Sequence, residues 1–160
     1  MIEFMNKAAF LDRDGVINFD KGYVYRIEEF IFLPGVIEGL KTLQERGFLL
    51  IVITNQGGIA KGFYTKEDVE ILHSWMKKEL EKKDIHITEI YFCPHHDEYE
   101  KCLCRKPGSL MLENAISRFN IDKTKSFFIG DKETDVGAAI GAGVKPIKTE
   151  KNSEFIVPVI

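Results

Sequence analysis

Short apolar runs alternate along the chain with stretches whose apolar residues recur every three or four positions. The runs are Ala8–Leu11, Phe48–Ile53, Ile87–Phe92, Ser126–Ile129 and Val144–Ile147. Phe48–Ile53 is apolar throughout, which predicts a strand buried on both faces, as in a parallel sheet. Val36, Ile37, Leu40 and Leu43 keep helical spacing, as do Val69, Leu72, Met76 and Leu80, and again Leu112, Ala115, Ile116 and Phe119. Val136, Ala139 and Ile140 predict a short fourth helix. Pro34-Gly35 opens the first helix and Gly47 closes it; Thr65 caps the second, with Asp68 in the capping-box position; Pro107 starts the third. Within the second helix, Lys77, Lys78, Lys82 and Lys83 read as a solvated face, and His73 and Trp75 as packing or surface residues. Strand–helix alternation predicts an α/β three-layer sandwich around a parallel sheet. We expect one domain over residues 1–160, with no insertion long enough for a separate cap. The terminal run Phe155–Ile160 fits either an edge strand or a dimer contact.

Four of these runs end in residues that carry chemistry. Ala8–Leu11 runs into Asp12-Arg13-Asp14-Gly15. On an extended chain Asp12 and Asp14 point the same way, at the strand end where open α/β sheets place ligands. Their mutual repulsion, a few kcal/mol at close range, would be relieved by a divalent cation. Phe48–Ile53 ends in Thr54-Asn55-Gln56-Gly57-Gly58, where hydroxyl, amide and backbone N–H donors suit an anion. Ser126–Ile129 ends in Gly130-Asp131, so Asp131 can share a magnesium ion with Asp12; Asp135 reads as a helix cap or an indirect partner. Lys132 beside it is a further candidate for substrate contact. Asp20-Lys21-Gly22-Tyr23 forms a turn on the same side of the sheet and could cover a substrate.

Ile87–Phe92 leads into Cys93-Pro94-His95-His96, then Cys102-Leu103-Cys104 and Arg105-Lys106-Pro107. All three cysteines fall within residues 93–104, and Cys102 and Cys104 are too close for an easy disulfide. Three thiolates and one imidazole make the closed set of a structural zinc site, with His95 and His96 as rival fourth ligands. The loop would fix the two cations that follow it. Lys106 suits a phosphate oxygen; the Arg105 fork suits a second anion or hydroxyls.

Composition narrows the partners. The chain has 160 residues, 44% hydrophobic and 29% charged, and a net charge of −3, which gives no reason to expect nucleic acid or an anionic membrane. No apolar run nears the ~20 residues of a membrane span, and residues 1–7 lack the pattern of a signal peptide. A cytoplasmic protein with thiols or metal-bound cysteines is the expectation. It would act on a small phosphorylated metabolite as a monomer, the apolar terminal run leaving a dimer open.

The motifs Asp12-x-Asp14-Gly15, Thr54, Lys106 and Gly130-Asp131…Asp135, in this order, resemble the haloacid dehalogenase-like superfamily of magnesium-dependent phosphatases. The resemblance spans about residues 8–148 and implies a central strand carrying Asp12. It implies phosphomonoester hydrolysis through an aspartyl-phosphate on Asp12, with Asp14 as acid and base, its backbone carbonyl on magnesium, and Thr54 and Lys106 on the phosphoryl group. Asp14 must then be protonated at the first step, and neighbouring negative charge would favour that. Within the superfamily, Thr54–Gly62, the cysteine loop and Arg105-Lys106-Pro107 are similar to the D,D-heptose 1,7-bisphosphate phosphatases, where the segments matching 20–23 and 59–62 help bind the sugar bisphosphate; this favours His95 as the zinc ligand. Histidinol-phosphate phosphatases share Asp12-Arg13-Asp14-Gly15, the cysteine loop and Arg-Lys-Pro. A phospho-accepting receiver domain also sets acidic residues, a threonine and a lysine around magnesium. Its acceptor aspartate lies on a middle strand, however, and nothing acidic ends the strand at Phe92. A zinc hydrolase would need an open coordination position, which four protein ligands do not leave.

Overall fold

The computed structural model describes residues 4–159. Met1–Glu3, part of the segment read for an export signal, and Ile160, the end of the apolar run, lie outside it. Five strands pair in parallel: β1 (Lys7–Leu11), β2 (Phe48–Asn55), β3 (Ile87–Cys93), β4 (Phe127–Gly130) and β5 (Lys145–Lys148). Their order is β3-β2-β1-β4-β5, so β1 is central. Leu11 lies level with Val52 of β2 and Ile129 of β4. The residues just past these positions therefore emerge together at one end of the sheet.

The alternation along β1 sets the layers. Ala9 and Leu11 pack with Leu40 and Leu43 of α1 (Val36–Glu45) and Leu72 and Met76 of α2 (Lys66–Glu81). Ala8 and Phe10 face the other way, against Met111, Leu112 and Ala115 of α3 (Leu110–Arg118) and Ala138, Ala139 and Ala142 of α4 (Glu133–Ala142). The three-layer α/β sandwich with a central Asp12 strand is thus the observed architecture. Among the described residues no helix is long and apolar enough to cross a membrane.

Several boundaries differ from the sequence expectation. The third helix starts at Leu110, after a tight turn closed by the Gly108 N–H donating to the Arg105 carbonyl at 2.8 Å. In α4 the alanines face the sheet and Ile140 is 64% exposed, because the thin interface beside β4 admits only small side chains. Residues 153–159 form no strand. Phe155 instead buries its ring over Gly39 of α1, where an added Cβ would meet the ring at 2.3 Å, and donates its N–H to the Pro34 carbonyl. That anchor draws the tail along α1 and away from a sheet edge.

The start of α2 is set by a complete capping box. The Thr65 hydroxyl accepts from the Asp68 N–H at 3.1 Å and the Asp68 carboxylate from the Thr65 N–H at 2.9 Å. Thr65→Ala is expected to lower stability by about 1 kcal/mol. In urea unfolding this should appear as a lower midpoint at an unchanged slope; an unaltered midpoint would contradict the cap's role.

Candidate active site

Asp12 follows β1 directly, its N–H donating to the Ile129 carbonyl of β4 at 3.0 Å. Its side chain is buried, and its Oδ1 accepts from the Arg13 N–H at 2.8 Å and from Lys106 Nζ at 3.1 Å. The same ammonium donates to Asp135 Oδ1 at 2.6 Å and to the Ile53 carbonyl at 2.8 Å. Asp135 also caps α4, its Oδ2 accepting from the Lys132 N–H at 3.1 Å. Asp131, just past β4, closes the group: one oxygen from each of Asp12, Asp131 and Asp135 lies within 4.8 Å of the others. Both Asp131 oxygens are buried without a hydrogen-bond partner. Gly15 makes this approach possible. At φ +87° it takes a left-handed turn, and a Cβ there would stand 2.5 Å from Asp131 Oδ2.

One ammonium thus bonds two of these carboxylates and leaves Asp131 without a hydrogen bond. Burial pushes the Asp12 carboxyl well up; Lys106 opposes this, while Asp135 and Asp14 add to it. Asp131 is raised, chiefly by burial. Burial alone would lower Lys106, but Asp12 and Asp135 outweigh it and hold its pKa above the ordinary lysine value. Surplus buried negative charge beside two unpartnered oxygens is a donor set that fits a hard divalent cation.

Asp14 lives in a different field. Its Oδ1 accepts from Arg13 Nη2 at 2.6 Å, Arg13 Nε at 3.2 Å and Asn18 Nδ2 at 3.0 Å. Its Oδ2 accepts from Gln56 Nε2 at 3.0 Å. Burial raises the Asp14 carboxyl, but Arg13, Asn18 and Gln56 outweigh it and hold the pKa below the ordinary carboxylate value. This corrects the expectation that the protein's own negative charge would keep Asp14 protonated. The nearest charge is a cation.

Two amides expected to meet a ligand are already engaged. Gln56 also donates to Thr54 Oγ1 at 2.9 Å and accepts from the Tyr64 hydroxyl at 2.7 Å. Burial pushes that phenol up to about 12. Asn55 grips the Lys106 backbone, donating to its carbonyl at 3.2 Å and accepting from its N–H at 3.0 Å.

Above this floor opens a pocket of about 400 Å³. Asp20, Gly22 and Tyr23 line one wall, and His96, Arg105 and Lys132 line others. Lys132 is raised: burial would lower it, but Asp12, Asp131 and Asp20 outweigh that. Lys21 does not line the pocket; it points outward, 3.3 Å from Glu29. Lys61 ties the rim loops together, 3.8 Å from Glu98 and 5.6 Å over the Tyr23 ring. The turn at 20–23 is tethered from the far end of the chain, where Asn152 exchanges two hydrogen bonds with the Asp20 backbone, at 2.7 and 3.0 Å.

Cys93, His95, Cys102 and Cys104 converge at the pocket's edge, their ligand atoms within 4.8 Å of one another. Cys93 Sγ lies 3.6 Å from Cys102 Sγ, and His95 Nδ1 lies 3.3 Å from Cys104 Sγ. These are near the edge lengths of a tetrahedron around zinc, given Zn–S near ~2.3 Å and Zn–N near ~2.0 Å. His96 turns to the pocket instead. Arg105 is bound to this cluster, donating its N–H to Cys102 Sγ at 3.4 Å and its Nη1 to the His95 carbonyl at 3.0 Å.

The sequence assigns no part to Arg13, Asn18 or Tyr64, and His73 reads there as a packing or surface residue. Arg13 is fully buried and its Nη1 lies 3.1 Å from His73 Nε2. The one available signal was a charged residue inside an otherwise buried strand end. Its partner lies 60 positions away, where no local spacing points to it.

A family model described as polynucleotide kinase 3 phosphatase matches residues 8–155. The chain is 47% identical over 146 residues to the D-glycero-beta-D-manno-heptose-1,7-bisphosphate 7-phosphatase of Haemophilus influenzae, covering 88% of this chain and 79% of that one. It is 48% identical over 138 residues to the D-glycero-alpha-D-manno-heptose-1,7-bisphosphate 7-phosphatase of Campylobacter jejuni, covering 86% and 78%. The crystal structure of a D,D-heptose 1,7-bisphosphate phosphatase from B. bronchiseptica, complexed with magnesium and phosphate, superposes with a TM-score of 0.82 at 32% identity, over 88% of this chain and 78% of that one.

Burial, and next Arg13, push the His73 pKa down from 6.5 to about 3. Between those values the unfolded chain binds a proton that the folded chain does not, so stability falls as pH falls through the window. His73→Gln should flatten the decline by up to about 1.4 kcal/mol per pH unit. Urea midpoints measured from pH 6.5 to 4 test this, and parallel curves for the two proteins would contradict it.

Proposed function

The chain belongs to the haloacid dehalogenase-like phosphatases, matched by that family model over nearly its whole length, and on this premise we propose that it removes the 7-phosphate of D-glycero-D-manno-heptose 1,7-bisphosphate through an aspartyl-phosphate on Asp12. The observation that carries the reading is the buried Asp12–Lys106–Asp131 group under an open polar pocket. In the first step an Asp12 carboxylate oxygen attacks phosphorus in line, the oxygen–phosphorus bond forms, and the bond to the sugar oxygen breaks. Asp14 gives its proton to the departing alkoxide. In the second step Asp14 takes a proton from water as that water attacks phosphorus, releasing inorganic phosphate and restoring Asp12. Asp14 is ionised before substrate binds; the phosphate dianion placed beside it supplies the negative charge that raises its pKa and lets it carry a proton. Lys106 and the Thr54 hydroxyl balance charge on the transferring group. The carboxylates of Asp12 and Asp131 and the Asp14 backbone carbonyl would hold Mg²⁺, which when bound adds charge neutralisation at the phosphoryl oxygens.

Arg105, Lys132 and the turn at 20–23 take the rest of the substrate, with Asn55 and Gln56 keeping Lys106 and Asp14 in place for it. Cys93, His95, Cys102 and Cys104 hold a structural Zn²⁺. Its use is to fix a polar loop with no apolar core of its own, and with it Arg105. The protein works as a monomer in the cytoplasm.

Phosphate release should be measured with magnesium on both anomers of the heptose bisphosphate, since relatives named for each are equally similar, and on histidinol phosphate and other sugar phosphates. Turnover of a heptose bisphosphate well above the others is expected. Asp12→Asn should abolish it, and an active Asp12→Asn protein would rule out this nucleophile. Cys102→Ser is expected to lose zinc, read by metal analysis of the purified protein, and to lower the melting temperature; unchanged zinc content would refute the cluster.

A further inference from the structure

The Arg13 guanidinium has no part in the steps above, yet it is fully buried. Burying a cation costs several kcal/mol unless hydrogen bonds replace its water. Here they do: two donors go to Asp14 Oδ1, one to the Val24 carbonyl at 2.6 Å, and Nη1 meets His73 Nε2 at 3.1 Å. A guanidinium only donates, so Nε2 must present its lone pair. That requires a neutral ring protonated on Nδ1, and the depressed pKa of His73 agrees. His73 stands on α2, whose Leu72 and Met76 are locked into the core. The arginine is therefore held by a rigid element at one end and by the residue just past the substrate turn at the other.

The effect falls unequally on the two oxygens of Asp14. Oδ1 accepts from three donors, while Oδ2 accepts only from Gln56. A carboxylate oxygen surrounded by three N–H groups has no room for a fourth hydrogen. We propose that Arg13 and His73 form a positioning pair that locks Oδ1 of Asp14, so that Oδ2 alone exchanges the proton with the leaving group and then with water. The proposal rests on the phosphatase reading and extends it to residues that touch no substrate.

The test compares two leaving groups. Measured as kcat/KM, which reports the steps through departure of the first product, a sugar phosphate needs a proton on its alkoxide. 4-Nitrophenyl phosphate does not, because its phenolate leaves unprotonated at neutral pH. His73→Leu removes the acceptor for Arg13. It should lower kcat/KM for the wild type's best sugar phosphate about tenfold or more, a fraction of what general acid catalysis contributes, and for 4-nitrophenyl phosphate by less than about twofold. His73→Gln, which restores an acceptor, should recover most of the loss. Should His73→Leu not fold, Arg13→Lys, which keeps the charge without the fork, is expected to give the same split. Equal losses on both substrates would mean a purely structural role and overturn the pair. No phosphate release from either substrate by the wild-type protein with magnesium would overturn the phosphatase reading itself, and the pair with it.

Discussion

Negative charge gathered at the end of one strand is the constraint on which this structure depends. β1 delivers Asp12 and Asp14 into a space that Asp131 and Asp135 enter from β4 and α4. Carboxylates gathered this way do not stay shielded from water without compensation. Two cations supply much of it. Lys106 reaches Asp12 and Asp135, and Arg13 reaches Asp14. What neither reaches is Asp131, whose buried oxygens have no hydrogen-bond partner. The fold thus leaves one carboxylate without a hydrogen-bonded cation at a defined place, and a divalent ion is the simplest species to complete it.

The two cations also divide the acids by role. Lys106 is shared among two carboxylates and a carbonyl, so Asp12 keeps a raised pKa in its buried setting. Arg13 spends a fork on Asp14, with Asn18 and Gln56 beside it, and Asp14 is lowered. Neighbouring residues of the same type so acquire opposite shifts, as environments that push pKa values apart do in other two-carboxylate sites. For the chemistry proposed, the free protein stores Asp14 as a base, and the substrate's own charge turns it into an acid.

The sheet and the positions of Asp12, Thr54, Lys106 and Asp131 were legible in the sequence for a single reason. Each follows a run apolar enough to be a strand or a loop fixed by cysteines, and parallel strands put their ends together. Asp12, Asp131 and the three cysteines of the cluster needed no more than that, while the choice of His95 over His96 rested on the family resemblance. What the sequence hid were side chains whose partners are set by tertiary distance. Arg13 should, by alternation, have pointed away from its neighbours; the chain bends after Leu11, and the guanidinium folds back onto Asp14. His73 looked like one more inward residue of a helix. Asn55 and Gln56 looked like donors for a ligand, and nothing local reveals that one grips the Lys106 backbone and the other Asp14. The tail shows the same limit. Its apolar residues suit a strand, but a single ring over Gly39 decides its path.

The cysteine loop connects these parts. Lys106 lies two residues beyond Cys104, and its backbone is clamped by Asn55 at the end of β2. Arg105 between them is tied back to the loop through the Cys102 sulfur and the His95 carbonyl. An ammonium that must meet Asp12, Asp135 and a main-chain carbonyl at once cannot hang from a flexible segment. Side-chain freedom of a lysine costs up to about 2 kcal/mol to remove, and fixing the backbone beneath it spares further loss when a phosphoryl group arrives. A loop gathered by the Cys93–His95–Cys102–Cys104 cluster and an amide clamp provides that fixity without an apolar core. The cluster at the rim and the charge balance at the floor are on this argument two ends of one device, which places Lys106 below and Arg105 above the same pocket.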